Sequence, residues 1–366
     1  MKRLTLALFL LYSYGFLMCD NVVKPLPENF YKRFEGSLDG KYKIVMNMTR
    51  RASQLTGSYF YVKFGQPISF SWGSQINNEG YFVIEEESSA YEENSRNIFK
   101  GRFVNENRIE GYWKKSSSND SLKFELEEKY TSGSVKAGMK YLHKEMDSLV
   151  TISFEFPDFK TAIIKDSLNK FINKFLLGKE NQPSINTAAF GEAMQDYIER
   201  YTQEVLIDTI FGDYQPPYFS ESSLRIFFNS DNIISLEGFG YAFEGGAHGN
   251  YYYDYNNFDI RTGKRITYKD IFVDNYIDEL NKTGEKIFKE FFKEDPDQSL
   301  AKQGWFGFDD GFFVNDNFVI CEGGLLIRYN PYEAGAYALG APSIFIPYKE
   351  IKNIIKADGL IGRLIN

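Results

Sequence analysis

The amino-acid sequence predicts an α+β protein: an all-β antiparallel module, barrel or sandwich, over residues 30–130, then an α+β domain of antiparallel sheets with packed helices over residues 138–366. Three observations predict it. Residues 30–130 hold short apolar runs split by turn residues, with no stretch of helical spacing. Beyond residue 138, strand-like runs alternate with stretches whose apolar residues recur every three or four positions. Between the two lies the polar run of residues 130–137, where the charge balance changes: residues 1–134 carry a net +2, residues 135–366 a net −10.

The N-terminus reads as an export signal over residues 1–19. Lys2 and Arg3 precede an apolar run from Leu4 to Met18, too short to span a bilayer comfortably. Ser13-Tyr14-Gly15 offers small residues for ordinary cleavage. Cys19 offers lipidation instead, with residues 20–29 as a tether, although Met18 and Phe16 depart from the usual lipobox. A lone Cys at the end of such a core favours the lipoprotein. The expected location is therefore extracytoplasmic, periplasmic or at the cell surface, with membrane contact only through a lipid on Cys19.

In the β module, Tyr42–Met48, Gly57–Val62, Tyr81–Glu85, Asn97–Phe103, Ile109–Trp113 and Leu122–Leu126 read as strands, several alternating or rich in β-branched and aromatic residues. Asn77-Asn78-Glu79-Gly80 and Asn105-Glu106-Asn107 read as hairpin turns. Further on, Val150–Phe156 is a strand stopped by Pro157. Ile164, Leu168, Phe171, Ile172 and Phe175 follow helical spacing, with Gly178 suited to the C-terminal cap. Phe190, Met194, Tyr197, Ile198, Tyr201 and Val205 form a second helix ending near Gly212, and Ile277, Leu280, Ile287, Phe288 and Phe291 a third. Leu224–Phe228, Ile233–Phe243, Tyr251–Asp259, Phe312–Ile320, Leu325–Tyr329 and Ser343–Ile346 are the remaining strands. Pro347 is placed to start a last helix carrying Ile351, Ile354 and Ile355.

Composition narrows the function classes. Hydrophobic content of 43% and charged content of 25% fit a packed protein and set aside disorder. The net charge of −8 disfavours a nucleic-acid partner. The two cysteines, Cys19 and Cys321, build no disulfide framework, and Cys321 reads as a small core residue of a strand. With only His143 and His248, no metal site of ordinary type and no cofactor is expected. Nucleophile elbows, phosphate loops and dinucleotide fingerprints are absent. The acid pairs Asp295/Asp297 and Asp309-Asp310 read as solvated surface.

The sharpest single residue is His248, framed by Gly245, Gly246 and Gly249. Such a histidine either locks a tight bend or acts as a base, and Glu244 and Asp259 are its candidate partners. On a strand, Tyr251, Tyr253 and Tyr255 share one face. Exposed, that face is a platform for sugar rings or a protein; buried, it is a sheet face with hydroxyls at the rim. Trp305, in the Gly-rich loop Gln303–Phe308, is a further aromatic binding candidate, whereas Trp72 and Trp113 read as core. The irregular run Tyr329–Gly340, with Tyr332, is expected to shape a surface beside the histidine loop.

Residues 244–249, Asn257–Ile260, Thr262-Gly263-Lys264, Tyr329–Gly335, Tyr337–Gly340 and Ile346-Pro347-Tyr348 follow one another in an order that resembles one family. It is the extracytoplasmic domain of unknown function found in the lysozyme-sensing anti-sigma factor RsiV and ahead of the catalytic domain of the peptidoglycan deacetylase PdaC. The resemblance spans about residues 140–360. It implies recognition of lysozyme or a peptidoglycan-type glycan; joined to the residue readings above, the expectation is an envelope protein without catalysis whose candidate binding residues are Glu244, His248, Tyr251, Tyr253, Tyr255, Trp305 and Tyr332. It does not carry over the deacetylase's paired-histidine catalytic domain. Two other readings stand beside it: an envelope polysaccharide hydrolase or deacylase using His248 with a carboxylate, and a structural or assembly protein of the outer surface.

Overall fold

The computed structural model describes residues 25–87, 96–118, 120–146, 149–159, 162–178, 187–203 and 217–365. The signal segment, Cys19, residues 20–24 of the tether and the end of the second expected helix at Val205 and Gly212 lie outside these. Among the described residues no helix is long and apolar enough to cross a membrane.

The N-terminal module is a closed barrel. Its strands are β1 (Asn29–Leu38), β2 (Tyr42–Arg51), β3 (Gln54–Tyr61), β4 (Pro67–Ser69), β5 (Gln75–Ile76), β6 (Tyr81–Glu85), β7 (Ile98–Asn105), β8 (Arg108–Lys114) and β9 (Ser121–Glu128). Each neighbour pair is antiparallel, and β1 bonds to both β2 and β9. With β2 paired to β3 and β3 to β5, eight strands close on themselves, while β4 pairs only with β3. Closure removes the free edges that a sandwich would leave. Inward residues such as Phe34, Met46, Tyr59, Phe99, Ile109 and Phe124 fill the interior. At the interior the Glu86 carboxylate accepts hydrogen bonds from Tyr59 Oη (2.5 Å), Trp113 Nε1 (2.7 Å) and Asn97 Nδ2 (2.7 Å). Three donors make the buried carboxylate tolerable. Trp113→Phe removes one of them and should cost about 1 kcal/mol of unfolding free energy, read from the urea midpoint.

The second sheet runs in sequence order: β10 (Ala137–Met146), β11 (Val150–Phe159), β12 (Tyr218–Ser230), β13 (Ile233–Phe243), β14 (Asn250–Asp259) and β15 (Arg265–Ile266). Strand β10, absent from the sequence expectations, pairs with β11 along its whole length. The sheet also departs from the all-antiparallel expectation, since β11 and β12 are parallel. A parallel pair needs a long crossover, and helices α1 (Ala162–Leu177) and α2 (Thr187–Tyr201) lie in that connection. Ile164, Leu168 and Ile172 of α1, with Phe190, Met194 and Tyr197 of α2, cover one face of the sheet against Ile152, Phe154, Leu224 and Leu236. Gly178 closes α1 with φ +65, where only glycine is unstrained.

A third sheet holds β16 (Phe318–Ile320), β17 (Gly324–Arg328) and β18 (Ser343–Pro347). Helix α4 (Ile277–Phe292) packs Leu280 and Phe288 into its core, and short helices α3 (Tyr268–Ile271) and α5 (Gly362–Ile365) complete the chain. Two expectations are corrected here. Residues 312–317 are not part of the strand that ends at Ile320, because side chains take their backbone groups: Asn281 Oδ1 accepts from Val314 N (2.9 Å) and Tyr329 Oη donates to Phe313 O (2.6 Å). The helix expected after Pro347 is two 3₁₀ turns, Tyr348–Glu350 and Lys352–Ile354, broken at Ile351 (φ −127). All three of its isoleucines are buried, and Ile355 bridges to Phe272 instead of continuing a helix. Cys321 is buried with Phe227, Tyr255 and Val319, and burial pushes its thiol well above the ordinary range.

The barrel is joined to the sheets through a polar interface. Tyr31 Oη donates to Asn47 Oδ1 (2.8 Å) and accepts from Asn229 Nδ2 (3.1 Å), while Asn47 Nδ2 donates to Phe227 O (3.2 Å). Arg51 crosses to Glu221 (2.6 Å) and Glu155 (3.6 Å), with its guanidinium over the Tyr141 ring. Val45 and Phe60, on the outer side of the barrel wall, enter the core of the third sheet. This is why β2 is buried on both faces from Ile44 to Arg50.

Candidate functional site

Strand register decides which side chains meet. In the antiparallel pair β13–β14, Glu237 stands opposite Tyr255, Phe239 opposite Tyr253 and Tyr241 opposite Tyr251. On β12, Arg225 stands opposite Glu237 and Glu221 opposite Tyr241. Directly opposed residues share a sheet face, so these side chains form one polar and aromatic face. Helices α1 and α2 cover the other face, and this one turns to the barrel.

Along it runs a row of aromatic rings. Trp72 of the barrel contacts Phe239 at 6.1 Å between centroids. Phe239 contacts Tyr253 (5.2 Å) and Tyr251 (6.3 Å), and Tyr251 contacts Tyr337 (5.8 Å). Tyr337 stacks on His248 at 4.2 Å and 21°, and touches Tyr332 at 5.6 Å. The two ends stand in solvent: Trp72 is 62% exposed and Tyr332 54%.

The histidine loop is shaped by its glycines. Gly245 (φ +84) and Gly246 (φ +89) occupy the left-handed region. At Gly249 a Cβ would lie 2.3 Å from Tyr241 Oη, so the loop packs directly on that ring. His248 Nδ1–H donates to Gly249 O (2.9 Å), and Tyr337 Oη donates to the same carbonyl (2.7 Å). The expected adjacency of the Tyr329–Gly340 run and the histidine loop is therefore real, and Tyr337 makes it. Tyr337→Phe keeps the stack but removes one bond; about 1 kcal/mol of stability should be lost, with the His248 ring resonances shifted in NMR spectra.

Neither candidate partner serves His248 as the orienting acid of a base. Glu244 is ion-paired to Arg200 (2.9 Å), and Asp259 lies at the far end of β14, bonded to Arg261 (2.7 Å). Among the described residues no group of three His, Cys, Asp or Glu side chains could hold a metal ion.

Three aromatic expectations change. Trp305 is only 5% exposed, packed against Phe288 (4.8 Å) and Phe292 (5.0 Å) with Nε1 donating to Glu294 (2.9 Å), so it belongs to the core and cannot bind a ligand there. Tyr255 is 1% exposed, its hydroxyl donating to Glu237 (3.0 Å), so it supports the row from beneath. Trp72, expected in the core, is the row's exposed end.

Beneath the row, between Ser69–Trp72 of the barrel and Arg225, Glu237, Tyr253 and Arg328, lies a cleft of about 60 Å³. The Arg328 guanidinium lies 4.1 Å over the Tyr253 ring and 5.6 Å from that of Tyr255. Burial works against its charge, but Tyr255, Tyr253, Glu237 and Glu87 around it hold it above the ordinary arginine range, so it stays a cation. Arg225 lies 6.0 Å over Trp72 and 4.0 Å from Glu237. Sequence reasoning missed Arg328, although a lone cation in the otherwise apolar strand Gly324–Arg328 is a readable signal. It also missed Phe239 and Tyr337. A larger concavity of about 820 Å³ lies on the outer barrel wall beside Tyr81 and Tyr112. Its Arg102 is already paired with Glu110 (2.9 Å), so charged groups with unmet bonding do not converge there as they do in the cleft.

Two protein-family models match parts of the chain beyond the barrel. Residues 143–251 match the model described as Deacetylase PdaC, and residues 269–349 the model described as a protein of unknown function, DUF3298. Phe239, His248 and Tyr251 lie in the first segment, Tyr332 and Tyr337 in the second. Among solved structures the chain is similar to a DUF3298 family member from Bacteroides fragilis NCTC 9343, at 21% identity and a TM-score of 0.55, over 63% of this chain and 98% of that one. It is also similar to a DUF3298 family protein from Pseudomonas aeruginosa PAO1, at 18% identity and a TM-score of 0.45, over 60% and 94% respectively. No curated protein matches the chain. At these identities the likeness to the Bacteroides protein shows a shared fold. The DUF3298 resemblance leaves chemistry to be argued from the site.

Proposed function

We propose that the protein is a non-catalytic binding module of the bacterial cell envelope, and that its ligand is a peptidoglycan-type glycan. The aromatic row carries this reading. Sugar rings present flat C–H faces that pack on aromatic rings, while tyrosine hydroxyls, His248 and Glu244 offer hydrogen bonds at the edges. The row runs from Trp72 through the buried Phe239 to Tyr332, and its two exposed ends suit a chain of sugars touching at more than one point better than a single small molecule. The resemblance to a peptidoglycan deacetylase read in the sequence, and the match of residues 143–251 to the model described as Deacetylase PdaC, support the same ligand class. Location outside the cytoplasm follows from the export signal read at residues 1–19.

A second reading, lysozyme as a protein ligand, is favoured by one observation: residues 135–366 carry a net −10, which would steer a basic protein. Titration by calorimetry separates them. A glycan held by ring stacking should bind with little salt dependence, whereas lysozyme held by charge should weaken steeply between low and physiological salt. His248→Ala tests the hydrolase reading: loss of turnover of muropeptides or acetylated sugars in that variant would replace the binding account with a catalytic one.

A further inference from the structure

The cleft under the aromatic row contains two guanidinium groups with unmet bonding. Nε of Arg225 and Nε of Arg328 are both buried without a hydrogen-bond partner. The Arg328 guanidinium lies over the rings of Tyr253 and Tyr255, with the charges of Glu237 and Glu87 nearby but no hydrogen bond from its Nε. Arg225 has one long ion pair, 4.0 Å to Glu237. Glu237 is shared, because its other oxygen accepts from Tyr255 Oη. Glu87 lines the cleft without an ion pair to either arginine. A buried guanidinium N–H left without an acceptor is desolvated without compensation unless something supplies one. Tyrosine faces compensate only part of that loss.

An incoming anion supplies what is missing. Guanidinium groups match planar carboxylates with two parallel N–H···O bonds. The cleft of about 60 Å³ is small for a ligand pocket, which suits a carboxylate better than a whole sugar ring. Both cations also lie against rings at the Trp72 end of the row, Arg225 over Trp72 and Arg328 over Tyr253.

We propose that this cleft is a carboxylate subsite: Arg225 and Arg328 take the carboxylate of an acidic sugar whose neighbouring sugars stack on the aromatic row. The inference rests on the glycan reading and narrows it to glycans that carry a carboxylate on the sugar itself. Neutral glycans then bind by stacking alone. Acidic ones gain the charge-assisted bonds and put the buried donors to use.

The test is calorimetric titration of the full protein with three probes. They are the N-acetylglucosamine trisaccharide, the N-acetylglucosaminyl–N-acetylmuramic acid disaccharide, and that disaccharide with its carboxylate methyl-esterified. The acid should bind about ten-fold more tightly than its ester, and Arg328→Met should erase that difference. Arg225→Gln, at a less buried position, should halve the preference on a logarithmic scale and guards against misfolding of Arg328→Met. Circular dichroism melts of both variants check the fold. Equal binding of acid and ester would overturn the subsite while leaving the glycan reading standing. Inorganic phosphate displacing the acid at equal concentration would also overturn it, by making the cleft a general anion site. Failure of all three sugars to bind would remove the glycan reading itself.

Discussion

Arg51→Ala should lower the unfolding free energy by about 3 kcal/mol at neutral pH. The side chain is the central ionic contact between barrel and sheet. It meets Glu221 at 2.6 Å and Glu155 at 3.6 Å, donates to Gln54 Oε1 (2.8 Å), and lies over Tyr141. Removing it leaves two carboxylates near one another, with Glu155 only 4% exposed. Burial already raises the Glu155 pKa above the ordinary value, against the opposing pull of Arg225 and Arg51. An acid whose folded pKa is raised stabilises the fold below its unfolded pKa and loses that stabilisation as pH rises through the folded value. Without Arg51 the folded pKa rises further. The penalty of the substitution should therefore be largest at neutral pH and shrink as pH falls toward the unfolded glutamate value of about 4.3. Urea titrations of both proteins at neutral and mildly acidic pH check this. A penalty that grows on acidification would contradict the arrangement.

Trp72→Ala should weaken glycan binding about ten- to thirty-fold with little effect on folding. Trp72 is 62% exposed, so truncating it opens no cavity in the core. Its indole packs on Phe239 at 6.1 Å and lies beside the Arg225 guanidinium at 6.0 Å, so it both extends the row and closes the cleft. Aromatic anchors at the edge of a desolvated site commonly carry about 1.4–2 kcal/mol of binding energy, about ten- to thirty-fold in affinity. Trp305→Phe makes the matching control. Trp305 packs on Phe288 and donates to Glu294, so its replacement should lower stability and leave affinity unchanged. Equal affinity of wild type and Trp72→Ala would remove the barrel from the site.

What was legible in the sequence was local. Alternation gave β2, β6, β7, β8 and β9, and helical spacing gave α1 and α4, because each needs only its own side chains and one buried face. Closure of the barrel depends on β1 meeting β9 some ninety residues away, and no run of residues encodes that pairing by itself. The parallel β11–β12 pair was hidden in the same way, since strand patterns do not carry direction. The histidine loop and the tyrosine face were legible because glycines and period-two spacing mark them. The roles of single aromatics were not. Trp305 sits among glycines, as an exposed loop residue would, yet Glu294 on a neighbouring turn takes its Nε1 and the ring closes the core. Trp72 sits between Ser71 and Gly73 in a β module, where a core role is the usual one. Its exposure follows from the placement of Phe239, more than 160 residues further on. Arg328 needed the strand β17 to be seen passing beneath Tyr253.

Calorimetric titration of the protein with peptidoglycan-derived glycan fragments at physiological salt tests the central claim most directly. Saturable binding that persists at that salt and is weakened by Trp72→Ala is the result expected of a glycan held along the aromatic row. No heat with any glycan fragment, together with saturable binding of lysozyme, would contradict it and assign the acidic surface of residues 135–366 to a protein partner instead.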